Sequence, residues 1–350
     1  MKQIPLVRKV VLQPAIALLH AEGIPTGRHL SRAKLTPPSP ETLDTLMPVH
    51  QLCVFLNSVS RAEGIPDLGF RIAGRSGIES LGLYGRLVMQ AFTMHEFVQR
   101  SIRWVSAYNS GIRVWTEPHG PLVKYCQRYD KSLTSTLTRE VIHLGLANAL
   151  SHAGLATRSP FIPRRIELPT APIDLTRHFP QLKALPLEFN RSLTAIWFDR
   201  RLLSQPLRAS DESITKRRIT DTEQKRFIDG TPSSSLLGQL EQIIESSLGW
   251  SAIGLQTTAS IVGTSPRTLQ RRLAVQGIDY SRLLQSVRFR TAQRMLRDPE
   301  MPLAELARRL SYADLANFIR AFKRWTGIGP GEFRRIHLAQ DSGQARRQEP

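Results

Sequence analysis

The sequence predicts a two-domain protein: an α+β N-terminal half, then an all-α C-terminal half with two helix-turn-helix units joined by a long helix. Three observations carry this prediction. One local pattern occurs twice near the C-terminus, first as Leu255–Gly263, a Thr264-Ser265 turn and Pro266–Gln276, then as Pro302–Leu310, a Ser311–Asp314 turn and Leu315–Trp325. The first two hundred residues mix helix-period and strand-like stretches. Between the halves, Ser204–Ser235 is polar and ends in Gly230-Thr231-Pro232-Ser233-Ser234-Ser235, a hinge-like composition. The predicted boundaries are residues 1–207, a linker over 208–235 that includes some surface helix, a second domain over 236–337, and a polar tail over 338–350. A length of 350 residues fits two or three domains.

The N-terminal elements follow from periodicity. Lys2, Arg8 and Lys9 precede the apolar run Val10–Leu19, a layout like that of a secretory signal. Gln13 and Pro14 interrupt the run and no small-x-small cleavage site follows, so it reads as part of a soluble segment. Ser39–Ser60 reads as a helix with Leu43, Leu46, Met47, His50 and Val54 along one side. Arg86–Trp104 reads as another, with Leu87, Phe92, Phe97, Val98 and Ile102 inward. Gly111–Thr116 and Leu122–Tyr129 are strand-like around Glu117-Pro118-His119-Gly120, which reads as a hairpin turn. Ser132–Gly154 reads as an apolar helix, and Arg164–Leu168 and Leu193–Phe198 as further strands.

In the C-terminal half, Leu236–Leu248 opens the domain and Ser281–Arg297 is the joining helix. Ser265 is a good N-cap because its hydroxyl can accept from an orphan first-turn N–H. Pro266 then occupies the first helical position, where no donor is needed. Asp314 plays the capping part in the second unit, and Pro302 opens its scaffold helix. Leu303, Leu306, Ala307 and Leu310 form one apolar stripe, and Phe318, Phe322 and Trp325 another; both read as core. The outer faces carry Arg267, Thr268, Gln270 and Arg271 on the first recognition helix, and Asn317, Arg320, Lys323 and Arg324 on the second. Arg can fork onto guanine and Asn onto the adenine edge, while Lys and Arg further along suit phosphates. Successive major grooves on one face of a duplex lie roughly 34 Å apart, so two such units on one chain suit adjacent grooves. Either face alone would pass for an ordinary solvated one; two capped units with matching stripes point to double-stranded DNA.

Charge agrees but does not locate the interface. The chain carries 48 basic and 29 acidic residues, a net +19 that favours a polyanionic partner. Residues 236–337 hold 15 basic and 8 acidic side chains and residues 1–235 hold 31 and 19, so the halves are about equally basic per residue. Cys53 and Cys126 are too few for a disulfide framework or a four-cysteine zinc site and read as small buried hydrophobes. No stretch approaches the ~20 apolar residues of a membrane span. His95-Glu96 lacks the second histidine of a zincin helix, Gly74-Arg75-Ser76-Gly77 lacks nucleophile-elbow spacing, and no glycine loop ends in Gly-Lys-Ser/Thr. No catalytic residue, metal ligand or cofactor is predicted.

Residues 241–336 resemble the DNA-binding domain of AraC/XylS-family bacterial transcription regulators. The matching words are Ser265–Gly277 (SPRTLQRRLAVQG), Val287–Asp298 (VRFRTAQRMLRD), Pro302–Tyr312 (PLAELARRLSY) and Phe318–Arg335 (FIRAFKRWTGIGPGEFRR). This chain departs from the family pattern at Ser311, where glycine is normal, at Thr258, where a larger aliphatic is usual, and at Leu315 and Ala316, where many members present polar base-reading side chains. An apolar contact with a thymine methyl is the substitute there. About residues 20–207, through Asp67–Gly111 and Leu185–Leu207, resemble the arabinose-binding-type N-terminal domain of the family branch with ornithine-utilisation and virulence regulators. The resemblance implies a cytoplasmic, homodimeric regulator that binds promoter DNA, engages RNA polymerase and senses a small-molecule effector whose identity and pocket are unknown.

Two alternatives stay open. One is a constitutive dimer without a ligand. The other is an enzyme fused to a DNA-binding module, as in adaptive DNA-repair proteins, which need a cysteine-rich centre that two isolated cysteines do not provide. Positive charge on the N-terminal half is compatible with a carboxylate effector, though surface arginines explain it equally. Trp104, Tyr108 and Trp115 are aromatic candidates for a pocket wall, with core packing the commoner role for such residues.

Overall fold

The computed structural model describes residues 3–133, 135–156, 161–207, 219–249 and 253–336. The start of the predicted linker (208–218) and the polar tail (338–350) lie outside the described residues. The chain divides into two compact units, Met1–Ser234 and Ser235–Pro350.

The first unit is α+β. Strands β1 (Leu6–Arg8) and β2 (Leu46–Pro48) pair antiparallel. Five more form a sheet: β3 (Ile112–His119), β4 (Leu122–Tyr129), β5 (Arg165–Glu167), β6 (Leu187–Glu188) and β7 (Thr194–Asp199), in the order β3-β4-β7-β5-β6. All neighbours are antiparallel except β5 and β6. Around them lie α1 (Leu12–Ala21), α2 (Gly27–Arg32), α3 (Val49–Ala62), α4 (Leu68–Gly74), α5 (Leu83–Met89), α6 (Met94–Tyr108), α7 (Ser135–Ala156) and α8 (Asp221–Asp229). Helix α7 is buried on several sides, with Val141, Leu144, Leu146, Ala147 and Leu150 all in the core, as expected of a helix with weak amphipathicity. It crosses α4 so closely at Gly69 that a Cβ there would run into the Glu140 carbonyl. The Glu140 carboxylate is buried beneath this crossing, accepting from Ser60 Oγ (3.1 Å), the Gly69 amide (3.1 Å) and Arg139 Nε (2.9 Å). Cys53 and Cys126 are buried free thiols.

Three expected elements differ. The helix expected from Ser39 begins only at Val49, because Leu46–Pro48 is strand β2. A residue before proline is disfavoured in the α region, and Met47 precedes Pro48. The helix expected over Arg86–Trp104 is two, α5 and α6, separated at Thr93. The Thr93 hydroxyl accepts from the Glu96 amide (3.2 Å), while the Glu96 carboxylate accepts from the Phe92 amide (2.9 Å). This capping arrangement starts a new helix. The hairpin turn falls at Gly120-Pro121, with Gly120 at φ 58°, so Glu117–His119 is strand. Pro118 is tolerated because β3 is an edge of the sheet.

The later part of the predicted linker is also more ordered than expected. Helix α8 carries a capping box between Thr220 and Glu223 and buries Phe227 in the core of the first unit. The reason is Arg8, itself 2 % exposed. Its guanidinium lies 4.1 Å from the Phe227 ring centre and donates to the carbonyls of Phe227 (2.7 Å), Ala107 (3.0 Å) and Asp44 (3.0 Å). Glu223 adds an ion pair with Arg86 at 3.0 Å.

The second unit is all helical: α9 (Leu236–Ser247), α10 (Leu255–Ile261), α11 (Pro266–Ala274), α12 (Tyr280–Met295), α13 (Leu303–Arg309) and α14 (Leu315–Thr326), then a short helix over residues 330–336. Helix α12 joins two small cores. Leu283 and Val287 are buried in its first part, and Ala292 in its second part packs with Leu296, Leu306, Leu310, Phe318 and Phe322. Ion pairs Arg290–Glu241 (2.7 Å) and Arg294–Glu245 (2.6 Å) fasten α9 to α12.

Candidate nucleic-acid interface

The two helix-turn-helix units share one turn geometry. In the first, the amides of Gly263 and Thr264 donate to the carbonyls of Ser260 and Ala259. In the second, Ser311 and Tyr312 donate to Arg308 and Ala307. Both are Schellman closures, which place one residue in the left-handed region. That residue is Gly263 at φ 74° and Ser311 at φ 59°. Serine tolerates the strained conformation because the surroundings hold it: its hydroxyl accepts from the Gly249 amide (3.0 Å) and its carbonyl accepts from Arg288 Nη2 (2.9 Å). The other departure in the scaffold is compensated as well. Thr258 is fully buried and its hydroxyl meets the Tyr280 hydroxyl at 2.6 Å, so the polar atom is satisfied where an aliphatic would simply pack.

Each turn leads into a capped helix. Ser265 Oγ accepts from the Thr268 amide (3.1 Å) and donates to Thr268 Oγ1 (2.9 Å), with Pro266 at the first helical position. Leu269 and Leu273 turn inward. Arg267, Gln270, Arg271 and Ala274 are exposed, and at 100° per residue they share one arc. Thr268 sits at the arc's edge, partly buried, its hydroxyl engaged by the cap.

In α14 the Asp314 carboxylate accepts from the Asn317 amide (2.6 Å), while Phe318 and Phe322 are completely buried. Arg320, Lys323 and Arg324 are exposed and Asn317 half-buried, all on the opposite arc with Ala316. Leu315 is 37 % exposed at the front of the helix. The four polar positions are not equally free. Asn317 Nδ2 donates to Asp314 Oδ2 (2.7 Å) and Asn317 Oδ1 accepts from Arg320 Nη2 (2.6 Å). An Asp314–Asn317–Arg320 chain therefore holds the Arg320 guanidinium, an arrangement not apparent from spacing alone.

The residues after α14 close the unit. Gly327, at φ 80°, is the left-handed C-cap. Thr326 Oγ1 donates to the Phe322 carbonyl (3.0 Å) and accepts from the Ile328 amide (3.3 Å). Pro330 opens the last helix, whose Phe333 ring lies 5.3 Å from that of Phe322. These residues brace α14 from behind and leave its cationic arc uncovered within the unit.

Among the described residues no helix is long and apolar enough to cross a membrane, and no three His, Cys, Asp or Glu side chains gather as a metal site. Of the aromatic pocket candidates, Tyr108 lines a cavity in the first unit. Trp104 instead packs edge-on to Phe227 and Trp115 donates to Glu117 (2.7 Å). His152, also on the cavity wall, was invisible in sequence as a lone histidine in an apolar helix.

Comparison with known proteins gives the same two parts. Residues 258–336 match a helix-turn-helix domain family, and residues 23–207 match the arabinose-binding domain found at the N-terminus of AraC transcription regulators. An uncharacterized HTH-type transcriptional regulator of Mycobacterium tuberculosis is 22% identical over 329 residues, covering 89% of this chain and 92% of that one. The ornithine utilization regulator of Pseudomonas aeruginosa is 40% identical over 80 residues, 23% of this chain and 24% of its own. The crystal structure of the transcriptional regulator CdpR from Pseudomonas aeruginosa aligns over 93% of this chain and 98% of its own, with 18% identity and a TM-score of 0.43. With the N-terminal domain matched across more than half of its length and a helix-turn-helix domain following, the chain belongs to the AraC family of DNA-binding transcription regulators, in the branch with an arabinose-binding-type N-terminal domain.

Proposed function

We propose that the protein reads a bipartite promoter site with Arg267, Gln270, Arg271, Asn317 and Arg320 toward base edges, and Lys323 and Arg324 on phosphates. Thr268 serves as a cap-linked contact at the edge of the first helix. The observation that carries the proposal is the pair of capped helices in one unit, each with an uncovered cationic arc. The chain acts by binding rather than by chemistry, in the cytoplasm, as a homodimer that engages RNA polymerase. Its N-terminal domain responds to a small-molecule effector. Support for these last points is the regulator family itself.

The test starts from an operator selected out of random duplexes. Arg271→Ala and Arg320→Ala are each expected to cost about 1–3 kcal/mol and to relax preference at one base position. Lys323→Ala is expected to weaken all sequences alike and to reduce the salt slope by about one. Uniform weakening on matched and mismatched sites by Arg271→Ala would remove its base-reading role.

A further inference from the structure

The first unit holds a cavity of about 120 Å³ where α5, α6 and α7 face the large sheet. Its wall is mostly apolar, with Val88, Met94, Phe97, Val98, Ile196 and Phe198 among the contributors. Among the described residues, none of the lining side chains is Asp, Glu, Lys or Arg. Two polar atoms on this wall have no hydrogen-bond partner among the described residues: the Tyr108 hydroxyl and His152 Nε2. Their residues are 7% and 6% exposed. A buried polar group left unpaired costs about 1–3 kcal/mol, and native proteins seldom leave one without a reason. Three neighbouring polar groups are already engaged. Ser101 Oγ donates to the Phe97 carbonyl (2.9 Å), Asn109 Oδ1 accepts from the Gly111 amide (2.9 Å), and the Tyr129 hydroxyl donates to the Val141 carbonyl (2.9 Å).

These features select a ligand chemistry. The size is comparable with the roughly 150 Å³ engineered cavity that holds benzene. A carboxylate or ammonium would lose water and meet no countercharge among the described lining residues. Burial holds the His152 imidazole down to about 3, so it is neutral at pH 7 and offers no cation. A polyol would turn most of its hydroxyls onto apolar wall, where they lose water without gaining a partner. We propose that this cavity binds a small, uncharged, mainly apolar molecule carrying one hydroxyl or carbonyl, held by the Tyr108 hydroxyl and His152 Nε2. This narrows the carboxylate reading of the N-terminal charge to a different class, and it rests on the effector reading for its regulatory meaning.

The test uses the full chain at pH 7, with calorimetry and thermal unfolding against phenol and cyclohexanone as neutral probes, and benzoate and arabinose as the contrasting classes. The neutral probes are expected to bind saturably, one per chain, and to raise the unfolding midpoint, since they bind only the folded state. Benzoate and arabinose are expected to bind at least tenfold more weakly. Tyr108→Phe removes one oxygen and is expected to weaken the neutral probes about three- to tenfold. Ala149→Leu, which fills the cavity, is expected to abolish binding. Absence of saturable binding by both neutral probes, which leaves water alone to serve the two polar atoms, overturns the proposal. So does benzoate binding as well as phenol, or Tyr108→Phe binding as well as the parent. Operator affinity separates this from the effector reading. A neutral probe that binds yet leaves operator affinity unchanged keeps the cavity assignment and removes its role as effector site. Arabinose or benzoate changing operator affinity while neutral probes fail to bind does the reverse.

Discussion

At the residue scale, two side chains of the second helix-turn-helix unit depart from what spacing suggests. Ser311 occupies a left-handed position that costs a non-glycine residue about 1–2 kcal/mol, and its hydroxyl bond to the Gly249 amide offsets part of this. Ser311→Ala keeps the strain and loses the bond, whereas Ser311→Gly loses the bond and the strain together. Urea unfolding of the protein is therefore expected to rank Ser311→Gly above Ser311→Ala by about 1 kcal/mol; the opposite order would show that the turn is not strained. Arg320 departs in another way, because Asn317 holds its guanidinium and Asp314 holds Asn317. A double-mutant cycle of Asn317→Ala and Arg320→Ala on operator affinity is expected to show coupling of about 1 kcal/mol or more. Additive effects would mean that the two side chains act independently. The caps, inward stripes and exposed polar arcs of the two helices are legible in the sequence, since all three are local patterns. The bonds among the side chains are not, because rotamers depend on neighbours that periodicity does not specify.

At the element scale, α8 is the informative case. Its capping box and single inward phenylalanine are weak signals in a polar stretch, and the residue that recruits it, Arg8, lies more than two hundred positions away. Long-range recruitment of this kind leaves no local trace. The same holds for β2, whose partner is β1, whereas the Thr93–Glu96 capping pair that splits α5 from α6 is a local signal, overlaid by the apolar periodicity that runs across it. Helix α8 also has a pH signature. The Arg86 guanidinium, then the Thr220 amide, hold the Glu223 carboxyl down to about 2 from an ordinary value of 4.5. A depressed acid stabilises docking fully above its ordinary value, and this contribution fades as the pH falls from about 4.5 toward about 2. At pH 7, Glu223→Gln is expected to speed amide exchange in Asp221–Asp229 without altering α6 or α7. Unchanged exchange would mean that Arg8 alone secures the helix. Arg8→Ala, which strands buried carbonyls, is expected to cost about 3 kcal/mol of the first unit's stability in urea.

At the scale of the whole molecule, the chain divides between Ser234 and Ser235 into two units, with the helix-turn-helix pair in the second. Residues 235–350 are expected to fold alone and bind DNA weakly, and the full chain to bind more tightly as a dimer, because pairing raises the effective concentration of the second reading unit. Sedimentation of both proteins with and without operator tests this, and a full-length protein that stays monomeric and binds one chain per operator would exclude it. The docking of α8 also changes what the polar stretch before the second unit offers a protease. Only Gly230–Ser235 separates α8 from α9, and within it the Ser234 carbonyl accepts from Gln3 Nε2 at 3.1 Å. Proteolytic nicking needs a locally opened segment, so a helix held by its buried phenylalanine turns Asp221–Asp229 from a cutting site into a protected one.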